Sequence, residues 1–440
     1  MGDGRSKVGR VSATSGVFCI GQPCWLPTTP RNGSRVVKIA VINTPFSTHI
    51  GRMAYVFETL RAQGHEVELW GSGGTRGVAE RHGMTYREIP LSTDFAAVMQ
   101  RRLQPHEVFT DLFFKIAQEQ LRTVLDYCEK HSPDVIEANA RVFSATAAAA
   151  LTKIPVVTHC CSGNSFSQIP DDLYGFCATG TESPRQRAIM LKLSKQFFKR
   201  TDDWFNTHIA KPFGLGRIEN AIGLCSPDYA IAQTIRELSK LRIANLGNVH
   251  MTGPILSEQA TDIDFAAYQP YCYASLGTSP WNPTEIVDRY RRLAAHVPVG
   301  LNIVVGLGGL VSKQELGIDD ERVIVFEQAP QIEAIKHSDF VLCHGGCQTV
   351  HEALYFGKPI VGIPHHAEIN EMVNSVEMAG AGVRLAPARL SRDTLVDAVG
   401  VARSAETRSR AAHLAELLRE TDGHRNIVAL FADVQRKLAA

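Results

Sequence analysis

The stretch FVLCHGGCQTVHEAL, residues 340–354, decides the fold of the second half of the chain. A short apolar strand is predicted to end at Cys343, two glycines follow, and a helix is predicted to begin near Gln348. Glycine lets the backbone approach a ligand closely, and a helix start presents unpaired N–H groups with partial positive charge. A strand, a glycine turn and a helix start in this order favour a phosphate site.

Side chains around this turn suit a nucleotide. His344, Gln348 and Thr349 carry hydrogen-bond donors for phosphate oxygens. Glu352 follows one helical turn later, on a face where its carboxylate can accept hydrogen bonds from ribose hydroxyls.

A metal site is the main alternative for the same stretch. The ligands would be Cys343, Cys347 and His351, or His344 with the pair at 365–366. Two glycines break the helical spacing, however, and no close pair of ligands has a matching second pair. A purely structural role is the third interpretation, and the phosphate site is favoured over both.

Short apolar runs alternate with amphipathic runs on both sides of this stretch, which predicts parallel strands joined by helices. The predicted strands read VVKIAVINTP, HEVELWG, MTYREIPL, DVIEANA, IPVVTHC, PDYAIA and VHMTGPIL in the first half, and YCYASLGT, NIVVGLGG, VIVFEQAP, FVLCHGG, PIVGIP and AGVRLA in the second. The expected fold class is α/β, with two Rossmann-like, doubly wound parallel-sheet domains that face each other across a cleft. Ligands of such sheets bind beyond the carboxyl ends of the strands.

The predicted organisation has five parts. They are a disordered leader at 1–34, a first Rossmann-like domain at 35–256, a linker at 257–269, a second Rossmann-like domain at 270–407, and C-terminal helices at 408–440 that pack back on the first domain.

Composition excludes several classes of protein. The chain has 440 residues, is 44% hydrophobic and 21% charged, and carries a formal net charge of +1. These values are typical of a globular protein and argue against a nucleic-acid partner. No apolar run reaches the roughly 18 residues that predict a transmembrane helix. The ten cysteines show no repeated CxxC, which indicates reduced thiols and a cytoplasmic location. The sequence does not indicate an oligomeric state.

The segment HGGCQTVHEALYFGKPIVGIP, with APQ upstream and AGVRL downstream, resembles the donor signature of the UDP-glycosyltransferases. These are inverting, nucleotide-sugar-dependent enzymes with the GT-B fold. The resemblance implies a nucleotide-sugar donor, without a cofactor or a metal. It places the following residues at the donor: His344, Gly345, Gly346, Gln348 and Thr349 at the diphosphate, Glu352 at the ribose, Gln328, Ala329 and Gln331 at the base, and Glu368 and Ile369 at the sugar.

The first half of the chain resembles the same family independently. TPFSTHIGRMAYVFETLRAQGHEV, residues 44–67, matches the family's first loop and helix, and it places His49 at the catalytic base. Histidine has a suitable pKa for removing the proton of an attacking hydroxyl. TGPIL and SLGT match the interdomain segment and the first strand of the second domain, which places Thr278 at the phosphates. The resemblance covers roughly residues 36–385.

The family's carboxylate that orients the catalytic histidine has no clear counterpart here. The aligned position after the strand DVIEANA is Asn139, and Glu137 points to the same side of the strand. Either Glu137 substitutes for the carboxylate, Asn139 orients a neutral imidazole, or the mechanism differs. A Glu137 charge that faces solvent at the strand end is the structural alternative.

Three departures from the family pattern concern the donor. Gln328 stands where many relatives have an aromatic that stacks on the base, Cys347 where tryptophan is frequent, and Ile369 where a glutamine contacts sugar hydroxyls. Because isoleucine has no side-chain donor or acceptor, we expect a donor other than UDP-glucose, with a deoxy sugar on UDP or TDP as a candidate.

The acceptor site is predicted in the first domain, at residues 160–180 and on the helix around residues 109–114. Aromatic and small polar residues there suit a small, lipophilic, hydroxylated molecule, although a core role is favoured for Phe113 and Phe114. The predicted function is transfer of a sugar from UDP or TDP to a hydroxyl. The alternatives are a nucleotide-sugar epimerase of the same fold and a degenerate transferase that acts as a binding or helper protein.

Overall fold

The computed structural model describes most of the chain: residues 35–46, 50–99, 101, 103, 105–161, 183–224, 226, 229–239, 248–256, 261–277, 283–309, 311–365 and 367–439. Several predictions fall outside these residues. They are the leader at 1–34, His49, Thr278 and most of the segment 160–180. Glu368 lies on a described helix, but its side chain is also outside the described part.

Two groups of strands form separate sheets. The first group is β1 Lys38–Ile42, β2 Glu66–Gly71, β3 Thr85–Glu88, β4 Val135–Asn139, β5 Val156–Cys160, β6 Tyr229–Ala232 and β7 Val249–Met251. The second group is β8 Tyr271–Ser275, β9 Asn302–Gly306, β10 Val323–Phe326, β11 Phe340–Cys343, β12 Ile360–Gly362 and β13 Gly382–Arg384. All thirteen predicted strands are confirmed.

Helices lie between and after these strands. They are α1 Met53–Ala62, α2 Arg76–Arg81, α3 Phe95–Met99, α4 Pro105–Glu107, α5 Phe114–His131, α6 Phe143–Thr152, α7 Pro184–Phe205, α8 Pro283–His296, α9 Lys313–Leu316, α10 Gln331–His337, α11 Cys347–Tyr355, α12 Ala367–Met378, α13 Arg392–Ala402, α14 Ala405–Glu420 and α15 Gly423–Ala439. Within the described residues, no helix has the length and apolar character that crossing a bilayer requires.

Both sheets are parallel, and their strands follow the same order of connection. Their strand orders are β3-β2-β1-β4-β5-β6-β7 and β10-β9-β8-β11-β12-β13. In each sheet the chain first winds outward in one direction and then returns to wind in the other. The direction changes between β1 and β4 in the first sheet and between β8 and β11 in the second. The doubly wound α/β architecture predicted from the alternating pattern is therefore confirmed.

The central strands β8 and β11 are fully buried, as is typical of parallel sheets with helices on both faces. Helices α1 and α15 pack on one face of the first sheet, and α5, α6 and α7 pack on the other. In α1 the buried side chains repeat at helical spacing, and the helix stops before Gly64, which has a φ of +91°.

The chain crosses between the sheets a second time at its end. Helix α14 packs on the second sheet, whereas α15 packs on the first through Ile427, Phe431 and Val434. The side-chain amide of Asn426 donates to the carbonyl of Thr252 at 2.9 Å, and this contact ties the start of α15 to the interdomain segment.

Candidate active site

The predicted site residues follow the strands at which each sheet changes winding direction. In the first sheet, β1 precedes His49 in the chain and β4 ends at Asn139. In the second sheet, β8 precedes Thr278 and β11 precedes His344. Ligands of doubly wound sheets bind at this position, beyond the carboxyl ends of the strands.

The turn between β11 and α11 requires glycine. Gly345 has a φ of +99°, and a Cβ there would lie 2.4 Å from Cγ2 of Val373 and 2.8 Å from the carbonyl oxygen of Ile369. A Cβ at Gly346 would lie 2.7 Å from the His344 ring. The N-cap residue of α11 is Gly346, which has no side chain to cap the helix, and the first turn of a helix presents N–H groups that can bind an anion.

Replacing Gly345 with alanine is expected to lower the free energy of unfolding by roughly 2 kcal/mol, because alanine is strained at this φ and meets the Ile369 backbone. Gly400 in α13 is the matched control, since a Cβ there meets nothing within 4 Å. Gly400→Ala should be neutral or stabilise by about 0.5–1 kcal/mol. Urea unfolding of the two variants measures the difference, and equal midpoints would contradict the assigned backbone geometry.

Glu352 is the centre of a polar network on α11, and its side chain is fully buried. Burial raises the pKa of Tyr273, whose protonated hydroxyl donates to Oε1 of Gln331 at 3.1 Å. This contact turns Nε2 of Gln331 toward Oε2 of Glu352 at 2.5 Å and Oγ1 of Thr349 at 3.3 Å. Nε2 of Gln348 donates to the other carboxylate oxygen at 3.2 Å. Four of the residues predicted to bind the nucleotide-sugar donor therefore form one hydrogen-bonded group.

The network extends across the cleft to the first domain. The Arg52 guanidinium, at the start of α1, forms an ion pair with Oε1 of Glu352. Arg52 lines a pocket between the two sheets together with Gln348, His351 and His159. This pair was not predicted, because its members are 300 residues apart in the chain.

His351 makes a second contact between the domains. Its Nδ1 lies 2.7 Å from the carbonyl oxygen of Cys347, which can only accept a hydrogen bond, so Nδ1 carries the proton. Its Nε2, 2.9 Å from Oγ1 of Thr234, then accepts from the threonine hydroxyl. Burial lowers the pKa of His351 to about 4, and the ring stays neutral at neutral pH.

Acid is expected to destabilise the fold through His351. Between its folded pKa of about 4 and its ordinary value of 6.5 the unfolded chain binds more protons, so stability falls as the pH drops through this window. The free energy of unfolding is highest above pH 6.5, where His351 is neutral in both states, and protonation of His351 in the unfolded chain lowers it by at most about 3 kcal/mol. His351→Gln should show a shallower loss of stability between pH 6.5 and pH 4 in urea unfolding. Parallel pH profiles of the variant and the wild type would contradict this role, and His413→Gln on the exposed face of α14 is the control.

A histidine–carboxylate pair lies in the wall of the cleft. Oε1 of Glu137 on β4 lies 2.5 Å from Nδ1 of His159 on β5, and both side chains are almost completely buried. The alternative of a Glu137 charge facing solvent is wrong, because β4 lies between β1 and β5 with helices on both faces. The available sequence signal for this pair was His159, the last residue but one of the predicted strand IPVVTHC. Whether Glu137 or Asn139 supports His49 stays a prediction.

The other predicted residues have the following contacts and burial. Oδ1 of Asn139 accepts the backbone N–H of Arg141 at 3.0 Å, within its own turn. Gln328 is exposed and Ala329 is half-buried before α10, while Ile369 is buried on α12. The His344 ring stacks on His365 with centroids 5.6 Å apart.

The metal alternative gains no ligand cluster from the fold. Among the described residues, no three His, Cys, Asp or Glu side chains converge on one point. Burial raises the pKa of the Cys343 thiol to about 12, which disfavours the thiolate form that binds metals.

Aromatic side chains gather near the carboxyl end of β4. Phe109 packs against Phe113 and Phe197 at centroid distances of 5.9 and 5.7 Å, and the Arg141 guanidinium lies 5.2 Å above its ring. Phe113 also contacts Phe46 edge-on at 6.4 Å. Phe114 is fully buried, which confirms the core interpretation for that residue, whereas Phe113 is only partly buried.

Comparison with known proteins agrees with this geometry. Residues 313–412 match the family described as UDP-glucoronosyl and UDP-glucosyl transferase. The chain is 25% identical over 391 residues to 4'-demethylrebeccamycin synthase of Lentzea aerocolonigenes, with 82% of this chain and 90% of the relative covered.

Solved structures share the fold. The glycotransferase of kitacinnamycin aligns with a TM-score of 0.68 at 21% identity, covering 91% of this chain and 99% of that one. The spinosyn rhamnosyltransferase SpnG, complexed with thymidine diphosphate, aligns with a TM-score of 0.67 at 18% identity, covering 89% and 99%. The chain is a glycosyltransferase similar to those of the UDP-glycosyltransferase type, and its two facing Rossmann-like domains have the GT-B fold.

Proposed function

We propose that the enzyme moves a sugar from a UDP or TDP donor to a hydroxyl of a small lipophilic acceptor, with inversion and without a metal. The observation that carries this proposal is the buried Glu352 carboxylate, held by Gln331 and Gln348 one turn beyond an uncapped helix start. In a nucleoside diphosphate the phosphates are followed by the ribose hydroxyls. The protein has the matching order, with hydrogen-bond donors at the helix start and the hydrogen-bond-accepting carboxylate of Glu352 one turn later.

The donor binds with its diphosphate on the first N–H groups of α11 and beside His344, with Thr278 on the phosphates. Glu352 accepts from the ribose hydroxyls, and Gln331 lies toward the base beside Gln328 and Ala329. Glu368 and Ile369 border the sugar. The apolar, buried Ile369 supports a deoxy sugar, and the thymidine diphosphate bound to SpnG supports TDP as the carrier.

His49 removes the proton from the acceptor hydroxyl as that oxygen attacks the anomeric carbon from the face opposite the leaving group. The C–O bond to the diphosphate breaks, and the growing negative charge is met by helix N–H groups and His344. Glu137 or Asn139 supports His49. The acceptor lies against the aromatic side chains around Phe109, which suit a lipophilic surface.

The test is a donor panel of UDP-glucose, TDP-glucose and TDP-rhamnose with lipophilic phenols, analysed by mass spectrometry and by NMR of the anomeric proton. We expect a glycosylated phenol of inverted configuration, faster turnover with a deoxy sugar, and no effect of EDTA. Equal rates with all donors would remove the argument from Ile369. Release of nucleoside diphosphate with no acceptor and no product glycoside would instead support the epimerase.

A further inference from the structure

The ion pair between Arg52 and Glu352 occupies the carboxylate that the proposed function assigns to the ribose. Glu352 has no solvent-accessible side-chain surface, whereas Arg52 retains 20%. Oε1 of Glu352 receives Arg52 and Gln348, and Oε2 receives Gln331. Protein donors thus contact both oxygens, and because no surface of the Glu352 side chain is accessible, a ribose that binds this carboxylate must displace at least one of these donors.

Arg52 is the partner whose displacement changes the charge balance. Gln331 and Gln348 are neutral and lie on the same domain as Glu352, so they lose only a hydrogen bond. Arg52 belongs to the other domain and carries the positive charge of a guanidinium. A guanidinium that leaves a buried carboxylate is stabilised when it contacts another anion in the same partly buried site.

The nucleotide brings that anion to the same pocket. Its diphosphate is joined to the ribose through one methylene group, and Gln348 on the first turn of α11 lines the pocket beside Arg52. Guanidinium matches phosphate oxygens in bidentate geometry. Arg52 can therefore exchange one anion for another by a side-chain movement, without leaving the cleft.

We propose that Arg52 is a donor-binding residue that releases Glu352 to the ribose and binds the diphosphate of the incoming nucleotide. Because the cleaved bond leaves its electron pair on the β-phosphate oxygen, the same guanidinium stabilises the departing nucleoside diphosphate. The exchange also couples donor binding to the contact between the domains. This inference rests on the proposed function, since it assumes that α11 and Glu352 bind the nucleotide.

The test compares UDP with uridine, which has the ribose but no phosphate. In wild type, Arg52→Ala and Arg52→Lys, the Kd of UDP is measured by calorimetry and that of uridine by ligand-observed NMR, and TDP with thymidine serves equally. For Arg52→Ala we expect UDP affinity to fall at least about tenfold, the loss typical of a charge-assisted contact, while uridine binds equally or more tightly. Arg52→Lys should recover part of the UDP affinity. Arg81→Ala, at an exposed position on α2, is the control.

Two results would contradict the role of Arg52, and a third would contradict the proposed function. Unchanged or tighter UDP binding in Arg52→Ala would overturn the inference, because Arg52 would then only compete for Glu352. An equal loss of UDP and uridine affinity would also overturn it, since it would indicate a structural role. A wild-type protein that bound neither UDP nor TDP would contradict the proposed function itself, which separates the two failures.

Discussion

His49→Ala is expected to lower turnover by roughly 10²–10⁴-fold while the Kd of UDP or TDP stays unchanged. An acceptor hydroxyl is a weak nucleophile at neutral pH, and without a base its proton must leave unassisted. The nucleotide contacts proposed above involve α11 and not His49, so donor binding should survive. Steady-state kinetics with a glycosylated product as readout, together with calorimetry, measure the two effects separately.

Substitutions of two further histidines test whether the loss of turnover is specific to His49. His413→Ala changes an exposed side chain on α14 and should leave turnover unaltered. His159→Gln keeps a donor for the buried Glu137 carboxylate and should cost less turnover than His49→Ala. If His159→Gln abolished transfer and His49→Ala did not, the base would be the pair on β4 and β5, and the role given to His49 would be wrong.

Glu352→Gln is expected to weaken binding of UDP and TDP by roughly 10–100-fold, because it removes the charge of the acceptor for the ribose hydroxyls. The substitution preserves the shape of a fully buried side chain, so the effect is not a packing defect. Uridine should lose affinity by a similar factor, in contrast to the expectation for Arg52→Ala. Calorimetry with UDP and TDP, and ligand-observed NMR with uridine and thymidine, provide the comparison.

The matched control is Glu416→Gln on α14, where the carboxylate is 74% exposed. Its circular dichroism, unfolding midpoint and nucleotide affinity should equal those of the wild type. Unchanged UDP affinity in Glu352→Gln would show that the ribose does not reach α11, and the donor site would have to be sought elsewhere.

Much of the fold was predictable because its signals are local. Most strands are short and mainly apolar, and the beginning or end of a helix depends on neighbours in the chain, as at Gly64 and the turn at Gly345. Thr349, Gln348 and Glu352 share one helix, so their common orientation also followed from spacing.

The contacts between the domains were not predictable in this way. Arg52 meets Glu352, and His351 meets Thr234, only because two separately folded sheets face each other. Residues that pair across 300 or 117 positions leave no periodic signal in a single sequence. The partner of Glu137 was missed for a different reason, because it depends on the pairing of two strands within the first sheet. The register of β4 and β5 places His159 opposite Asn139, two residues from Glu137 on the same face of β4, so His159 and Glu137 are diagonal neighbours.

The central claim is that a nucleoside diphosphate binds at the start of α11, and a crystal grown with UDP or TDP tests it most directly. We predict phosphate oxygens at the N–H groups of the first turn, beside Gln348 and Thr349, and a ribose hydroxyl on the Glu352 carboxylate. A nucleotide located away from α11, with Glu352 still held by Arg52, would contradict the account.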